Sequence, residues 1–266
     1  MKKIFDILIF CKKIRDYIIY KYFYDLFISN KRKENIRTSV NLVSKDSKSD
    51  VLITFRKKGR GEERDRFNYQ SKIIQFNIKG SDKVLDIGSG GFPFPYATHL
   101  ADFYPDTTSH RIEPLAVDER PYIKCNIEKM PFNDREFDFT YCSHVLEHVE
   151  NPKSACDEII RISKRGYIET PTKTSDIMFN FTKLVDHHKW YVEIKNHTLI
   201  FIEYSSYERI DLGSDHFFKE CHSKWDNPYQ QYFFNNRTIF NNMFLWEDKF
   251  HYIIINKDGK IINTDT

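Results

Sequence analysis

The chain has 266 residues, 40% of them hydrophobic and 30% charged, which is enough to bury a substantial core in one large domain with appendages. A net charge of +3 is too small to argue for a nucleic-acid partner. The five cysteines (Cys11, Cys125, Cys142, Cys156, Cys221) are odd in number and form no Cys-x-x-Cys pair, which predicts buried thiols in a reducing cytosol.

Residues 1–37 carry ten basic and four acidic side chains, a net +6 that leaves −3 on the other 229 residues. Ile4, Phe5, Leu8, Ile9, Phe10, Ile18, Ile19, Phe23 and Phe27 are interleaved with these charges. Their apolar runs are far short of the roughly 20 residues a spanning helix needs. No small-residue cleavage site is evident, so no signal peptide is expected. The segment predicts a basic amphipathic helix with two uses. It could make peripheral contact with an anionic membrane at its inner face. It could instead pack on the domain or on a second subunit of a homodimer.

Residues 38–266 are expected to form one domain, with a cofactor-binding core over 80–172 and substrate or cap elements over 173–250. Residues 38–65 read as irregular, and 66–78 as a helix with Tyr69, Ile73, Ile74 and Phe76 on its apolar side. Four short strands follow, at 84–87, at 98–101 ending in Asp102, at 122–125 and at 137–142. A helix is predicted over 152–162 and a fifth strand over 167–169. Short strands separated by crossovers imply a parallel sheet. Residues 190–194 and 198–204 flank Lys195-Asn-His197 as a β-hairpin, and 251–255 is a late strand. Residues 205–242 are aromatic and polar, with no assignable pattern.

The stretch Lys83-Val-Leu-Asp-Ile-Gly-Ser-Gly-Gly91 carries the most information. A buried strand runs straight into glycines, which let the backbone turn sharply and approach a ligand. Asp102 ends the next strand, where a carboxylate can accept from both hydroxyls of a ribose. Phe92-Pro-Phe-Pro-Tyr-Ala97 holds two prolines and predicts a tight turn in place of a crossover helix. Asp106 is the alternative acidic residue. A dinucleotide-binding turn is disfavoured, because Pro93 stands where a third glycine is needed.

Taken with Asn126-Ile-Glu-Lys-Met-Pro-Phe132, Phe137-Asp-Phe, Ser143-His-Val-Leu-Glu-His-Val149 and Gly166-Tyr-Ile-Glu-Thr-Pro171, this region resembles the class I S-adenosylmethionine-dependent methyltransferases of the type 11, small-molecule group. The resemblance covers about a third of the chain, residues 83–171. It implies a Rossmann-like, doubly wound, mostly parallel α/β sheet of the seven-strand type, here with an N-terminal helix and a hairpin-containing C-terminal addition. It implies S-adenosylmethionine as cofactor. Asp86, Gly88, Ser89 and Gly90 would hold its amino-acid end, Asp102 its ribose, and Asn126, Ile127 and Glu128 its adenine. Ser143 and His144 would border the methyl-transfer site. Asn126 stands where the family usually has Asp, and the proline-rich 92–95 replaces the usual glycine and helix.

The acceptor is expected to be a small molecule or a glycan or lipid, methylated on oxygen, with no nucleic-acid partner. The setting is expected to be cytoplasmic, and polysaccharide modification fits it. His144, His187 and His188 are the candidate catalytic residues, since an acceptor hydroxyl must lose its proton as the methyl arrives. Glu169 and the aromatic cluster Trp225, Tyr229, Tyr232, Phe233 and Phe234 could contact the acceptor or simply pack. His144-Val-Leu-Glu-His148 also fits the inverted zinc-protease pattern, in which both histidines would share a helical face. No metal is expected in the methyltransferase reading; the alternatives are a non-catalytic S-adenosylmethionine-binding domain and a zinc hydrolase using His144-Val-Leu-Glu-His148.

Overall fold

The computed structural model describes residues 38–40, 55–57, 66–104, 114–183, 187–222 and 228–264. The basic segment 1–37, Asp106 and Trp225 lie outside them. A two-stranded antiparallel pair, β1 (Thr38–Val40) and β2 (Phe55–Lys57), precedes helix α1 (Arg66–Ile73).

The central sheet contains β3 (Val84–Ile87), β4 (His99–Asp102), β5 (Tyr122–Lys124), β6 (Phe139–Ser143), β7 (Arg165–Pro171) and β10 (Asn241–Glu247). Its order is β10-β7-β6-β3-β4-β5, parallel except for β10, which runs antiparallel to β7. The fold is therefore the mostly parallel, Rossmann-like class expected. Among the described residues the sheet has six strands where seven were expected. The strand after β10, β11 (His251–Ile255), pairs with β9 (Thr198–Glu203) in a second sheet. That sheet has the order β12-β11-β9-β8, with β8 (Trp190–Lys195) and β12 (Ile261–Thr264) at its edges.

Both faces of the central sheet are covered, so its strands read as apolar runs. Side chains alternate between two cores. Val84, Phe139, Tyr141 and Tyr167 face Phe76, Phe94 and the partly buried Phe67 of α1. Leu85, Ile87, Cys142 and Ile168 face helix α2 (Pro152–Ile162) and the second sheet. Helix α2 starts with Asn151 as N-cap, accepting from Ser154 N–H at 3.2 Å, and Pro152 in its first turn. Its buried stripe is Ala155, Cys156, Ile159 and Ile162. The hydroxyl of Tyr252 on β11 donates to Asp157 Oδ1 at 2.6 Å, tying the second sheet to α2.

Three expectations are corrected. Helix α1 stops at Ile73 rather than 78: the Arg165 guanidinium takes the carbonyls of Phe76 and Asn77 at 2.8 Å each, and Asn77 turns the chain out of the helix with a φ of 51°. Strand β7 extends to Arg165–Pro171, since β10 pairs along its whole length. Residues 205–242 are mainly helical: α4 (Leu212–Cys221), α5 (Pro228–Asn235) and α6 (Arg237–Phe240) follow α3 (Lys173–Phe179). Phe233 and Phe240 join Met178 and Cys221 in a small third core, so the packing reading holds for Phe233. Tyr229 and Tyr232 are exposed. No helix of the described residues is long and apolar enough to cross a membrane.

Candidate cofactor and active site

Strands β4 and β5 lie on one side of β3, and β6 and β7 on the other. Neighbouring loops therefore diverge at the carboxyl edge between β3 and β6, where sheets of this kind bind ligands. Gly88 and Gly90 leave β3 with φ of 73° and 54°. At Gly88 no side chain fits, because a Cβ would lie 2.3 Å from Val145 Cγ2. The turn wraps the end of β4: Gly88 and Ser89 N–H donate to Ala101 O at 2.7 and 3.1 Å. Gly90 N–H donates to Asp102 Oδ2 at 3.0 Å, and Tyr104 N–H to Asp102 Oδ1 at 2.9 Å. Asp102 therefore sits against the glycine turn.

Asp86 is placed beneath this turn. It is 1% exposed, and its Oδ2 accepts from Phe94 N–H at 2.7 Å. Burial pushes its carboxyl up to about 6, although the Phe94 amide and the Arg66 and Arg120 guanidiniums pull the other way. The proline segment 92–97 contains no helix. Its backbone groups are satisfied from outside: Arg66 Nη2 donates to Phe92 O at 2.6 Å, and Arg120 Nη1 to Phe94 O and Ala97 O at 2.9 and 3.3 Å. The Phe94 ring stacks on Tyr141 at 4.0 Å.

Beyond β5, Asn126 Oδ1 accepts from Glu128 N–H at 2.9 Å, closing a turn, and Ile127 is buried. Glu128 Oε1 accepts from Glu150 and Asn151 N–H at 2.7 and 3.0 Å, clamping that turn to the start of α2. Ser89 Oγ is buried without a hydrogen-bond partner. A pinned glycine turn, a carboxylate beside it and spare buried polar capacity fit a nucleoside cofactor with a polar tail.

Next to this edge lies a second group. Ser143 ends β6, and His144 follows with φ of 57°, an uncommon conformation for a side chain of this size. Residues 146–148 form one 3-10 turn, so His144 and His148 do not share a face as helical i, i+4 ligands. His144 instead bridges two buried carboxylates, with Nδ1 3.4 Å from Glu147 Oε1 and Nε2 3.2 Å from Glu169 Oε1. Burial would lower its pKa, but the two glutamates outweigh that and raise it to about 9. This histidine is held as an imidazolium, so it is a donor rather than a base. Burial likewise raises the Glu147 carboxyl, yet the facing His144, His148 and His188 hold it near about 2.

Glu169 accepts from Gln70 Nε2 at 2.9 Å and from the hydroxyls of Tyr69 and Tyr167. It is fully buried and anchors α1 to the sheet, which leaves it no face for an acceptor. His187 and His188 are both buried, and their rings stack at 4.5 Å. The segment carrying them closes over the 3-10 turn: Lys189 N–H donates to Glu147 O at 2.8 Å, and Trp190 Nε1 to Val149 O at 2.8 Å. His188 Nδ1 lies 2.8 Å from Asp176 Oδ1, whose other oxygen accepts from Tyr204 O–H at 2.7 Å. The roles of Glu147, Glu169, Asp176 and Gln70 were not found from the sequence. Glu147 and Glu169 stood inside recognised motifs, while Asp176 and Gln70 gave no signal.

Residues 85–168 match the family described as a methyltransferase domain. An uncharacterized protein of Methanocaldococcus jannaschii is 35% identical over 91 residues, which are 33% of this chain and 42% of that protein. The matched part thus spans less than half of that relative's length. Among solved structures, the protein crystallised with the Trm112 methyltransferase activator of Haloferax volcanii is 11% identical, with a TM-score of 0.43 over 71% of this chain and 92% of that one. A SAM-dependent methyltransferase of Methanosarcina mazei is 13% identical, with a TM-score of 0.29 over 45% and 69%. These two scores stand as resemblances only. The family match is confined to residues 85–168, which resemble a methyltransferase domain, and S-adenosylmethionine is the cofactor that family implies.

Proposed function

We propose that this protein transfers a methyl group from S-adenosylmethionine to an oxygen of a small-molecule acceptor, of the glycan or lipid kind. The observation that carries the reading is Asp102 held against the glycine turn, with Gly90 N–H 3.0 Å from its Oδ2. Gly88, Ser89 and Gly90 would hold the cofactor's amino-acid end, with Asp86 acting through the loop it fastens at Phe94. Asp102 would take the ribose, and the turn at Asn126, Ile127 and Glu128 the adenine. The cofactor supplies an electrophilic methyl on a sulfonium, so this chain has to position the acceptor and take up its proton.

His144 already carries a proton and serves to hold charge beside Ser143. The proton-accepting capacity lies in His148 and His188, with Asp176 behind His188. The basic segment 1–37 would bring the domain to an anionic membrane bearing such an acceptor. The test is thermal denaturation with S-adenosylhomocysteine. The wild-type protein should be stabilised and Asp102→Ala should lose that shift. A wild-type protein that shows no shift contradicts the reading.

A further inference from the structure

We infer that Arg66 is a binding residue for the cofactor's amino-acid end, its guanidinium holding the carboxylate there. The inference rests on the cofactor reading above. Arg66 opens α1 and is half-buried. Its Nη2 donates to Phe92 O at 2.6 Å, which sets the guanidinium beside the residue that follows the Gly88–Gly91 turn. Its Cζ lies 5.0 Å from the centre of the Phe67 ring and 6.0 Å from that of Tyr141. Tyr141 is the register partner of Asp86 on β3. The cation therefore stands over the β3–β6 pair, close to where the glycine turn leaves β3.

Among the described residues this guanidinium has no ion pair. Burial would lower its pKa, but Tyr141, Asp86, Tyr69 and Glu169 outweigh that and raise it, so the side chain stays charged. The two carboxylates that act on it are engaged by other donors. Asp86 Oδ2 accepts from Phe94 N–H. Glu169 accepts from Tyr69, Gln70 and Tyr167 and faces His144. Apart from the Nη2 contact, the N–H groups of Arg66 meet no acceptor among the described residues, and none of those groups is fully buried. Aromatic rings cover the face of a guanidinium and leave its donor edge to an anion. A charged fork with donors to spare, at the rim of a ligand site, suits a carboxylate.

The local fold gives the reason this chain needs such a cation. An anionic group at a strand-to-glycine turn is ordinarily met by the N-terminus of the helix that follows, with free N–H groups and the positive end of a dipole. Here Pro93 and Pro95 leave no helix in 92–97. The amides of the turn and of that segment are engaged within the protein. Gly88 and Ser89 N–H donate to Ala101 O, Gly90 N–H to Asp102, Phe94 N–H to Asp86 and Ala97 N–H to Phe94 O. The turn then supplies the shape that receives the amino-acid end, and Arg66 supplies the positive charge from outside the loop.

The test compares S-adenosylhomocysteine with its decarboxylated analogue, which keeps the amine and loses only the carboxylate, by calorimetry on the full chain. The wild type should bind S-adenosylhomocysteine about 10–100-fold more tightly than the analogue, the range of one charge-assisted contact. Arg66→Met should lose that preference by weakening S-adenosylhomocysteine while binding the analogue as the wild type does. Arg66→Gln, which can still donate to Phe92 O without a charge, should show the same loss, and it carries the test should Arg66→Met unfold. Equal weakening of both ligands in the variants would reduce Arg66 to a support for Phe92 and overturns the proposal. Equal affinity of the wild type for the two ligands overturns it too. A preference that survives both substitutions overturns this inference alone, whereas a wild type that binds neither ligand overturns the cofactor reading with it.

Discussion

The glycine edge and the histidine pocket are neighbours on one sheet, yet they are built by different means. The edge is local: Asp86, Gly88, Gly90, Asp102 and Asn126 to Glu128 lie within one stretch of chain, and backbone turns dictate what each residue does. The pocket is assembled from α1, β6, β7, α3, the 187–188 segment and Tyr204. Turn chemistry leaves a signature in sequence, whereas a buried carboxylate network is defined only when distant elements meet.

The comparison can be broken first at the pocket. Glu169→Leu strips the acceptor from Tyr69, Tyr167, Gln70 and His144 together, and should cost about 3–5 kcal/mol in chemical denaturation. A loss below about 1 kcal/mol would place α1 docking elsewhere. At the edge, Gly88→Ala meets both a left-handed backbone and Val145, and should cost about 2–4 kcal/mol together with S-adenosylhomocysteine binding. Val145→Ala in the same chain should recover part of the loss. If it recovers none, the clash is not the cause.

Titration sharpens the contrast. The Asp86 carboxyl sits at about 6 in the fold, against 3.8 for an ordinary Asp. A raised acid binds its proton more tightly when folded, so its contribution is complete below about pH 4 and is lost as pH rises through about 6. That loss is about 3 kcal/mol on conversion of the shift. Asp86→Asn should flatten the stability profile over this window, measured as denaturation midpoints against pH. An unchanged slope would mean that Asp86 is charged throughout. The smallest effect concerns α2, which both regions share. Asn151→Ala removes the cap at Ser154 N–H and should cost about 1 kcal/mol while leaving cofactor binding intact.

Much of the fold was legible in particular residues. Asn151-Pro152 and the stripe to Ile162 gave helix α2 its observed limits. Asn196 and His197, both at positive φ, close the two-residue hairpin between β8 and β9. The prolines at 93 and 95 ruled out a crossover helix. What could not be read depended on distant partners. Arg165 holds the chain beyond α1 and β10 lengthens β7, and each lies some seventy to ninety residues along the chain from the segment it shapes. Of the pocket, the histidines were legible as residue types. Their grouping around Glu147 was not, because it needs the 187–188 segment folded over the turn at 146–148.

The central claim is that the glycine edge with Asp102 is where the cofactor binds. A crystal structure of the protein with S-adenosylhomocysteine tests it most directly. The ribose hydroxyls should lie within hydrogen-bonding distance of Asp102, and the amino-acid end against the Gly88–Gly90 turn. Ligand bound away from that edge, with no ribose hydroxyl on the Asp102 carboxylate, would contradict it.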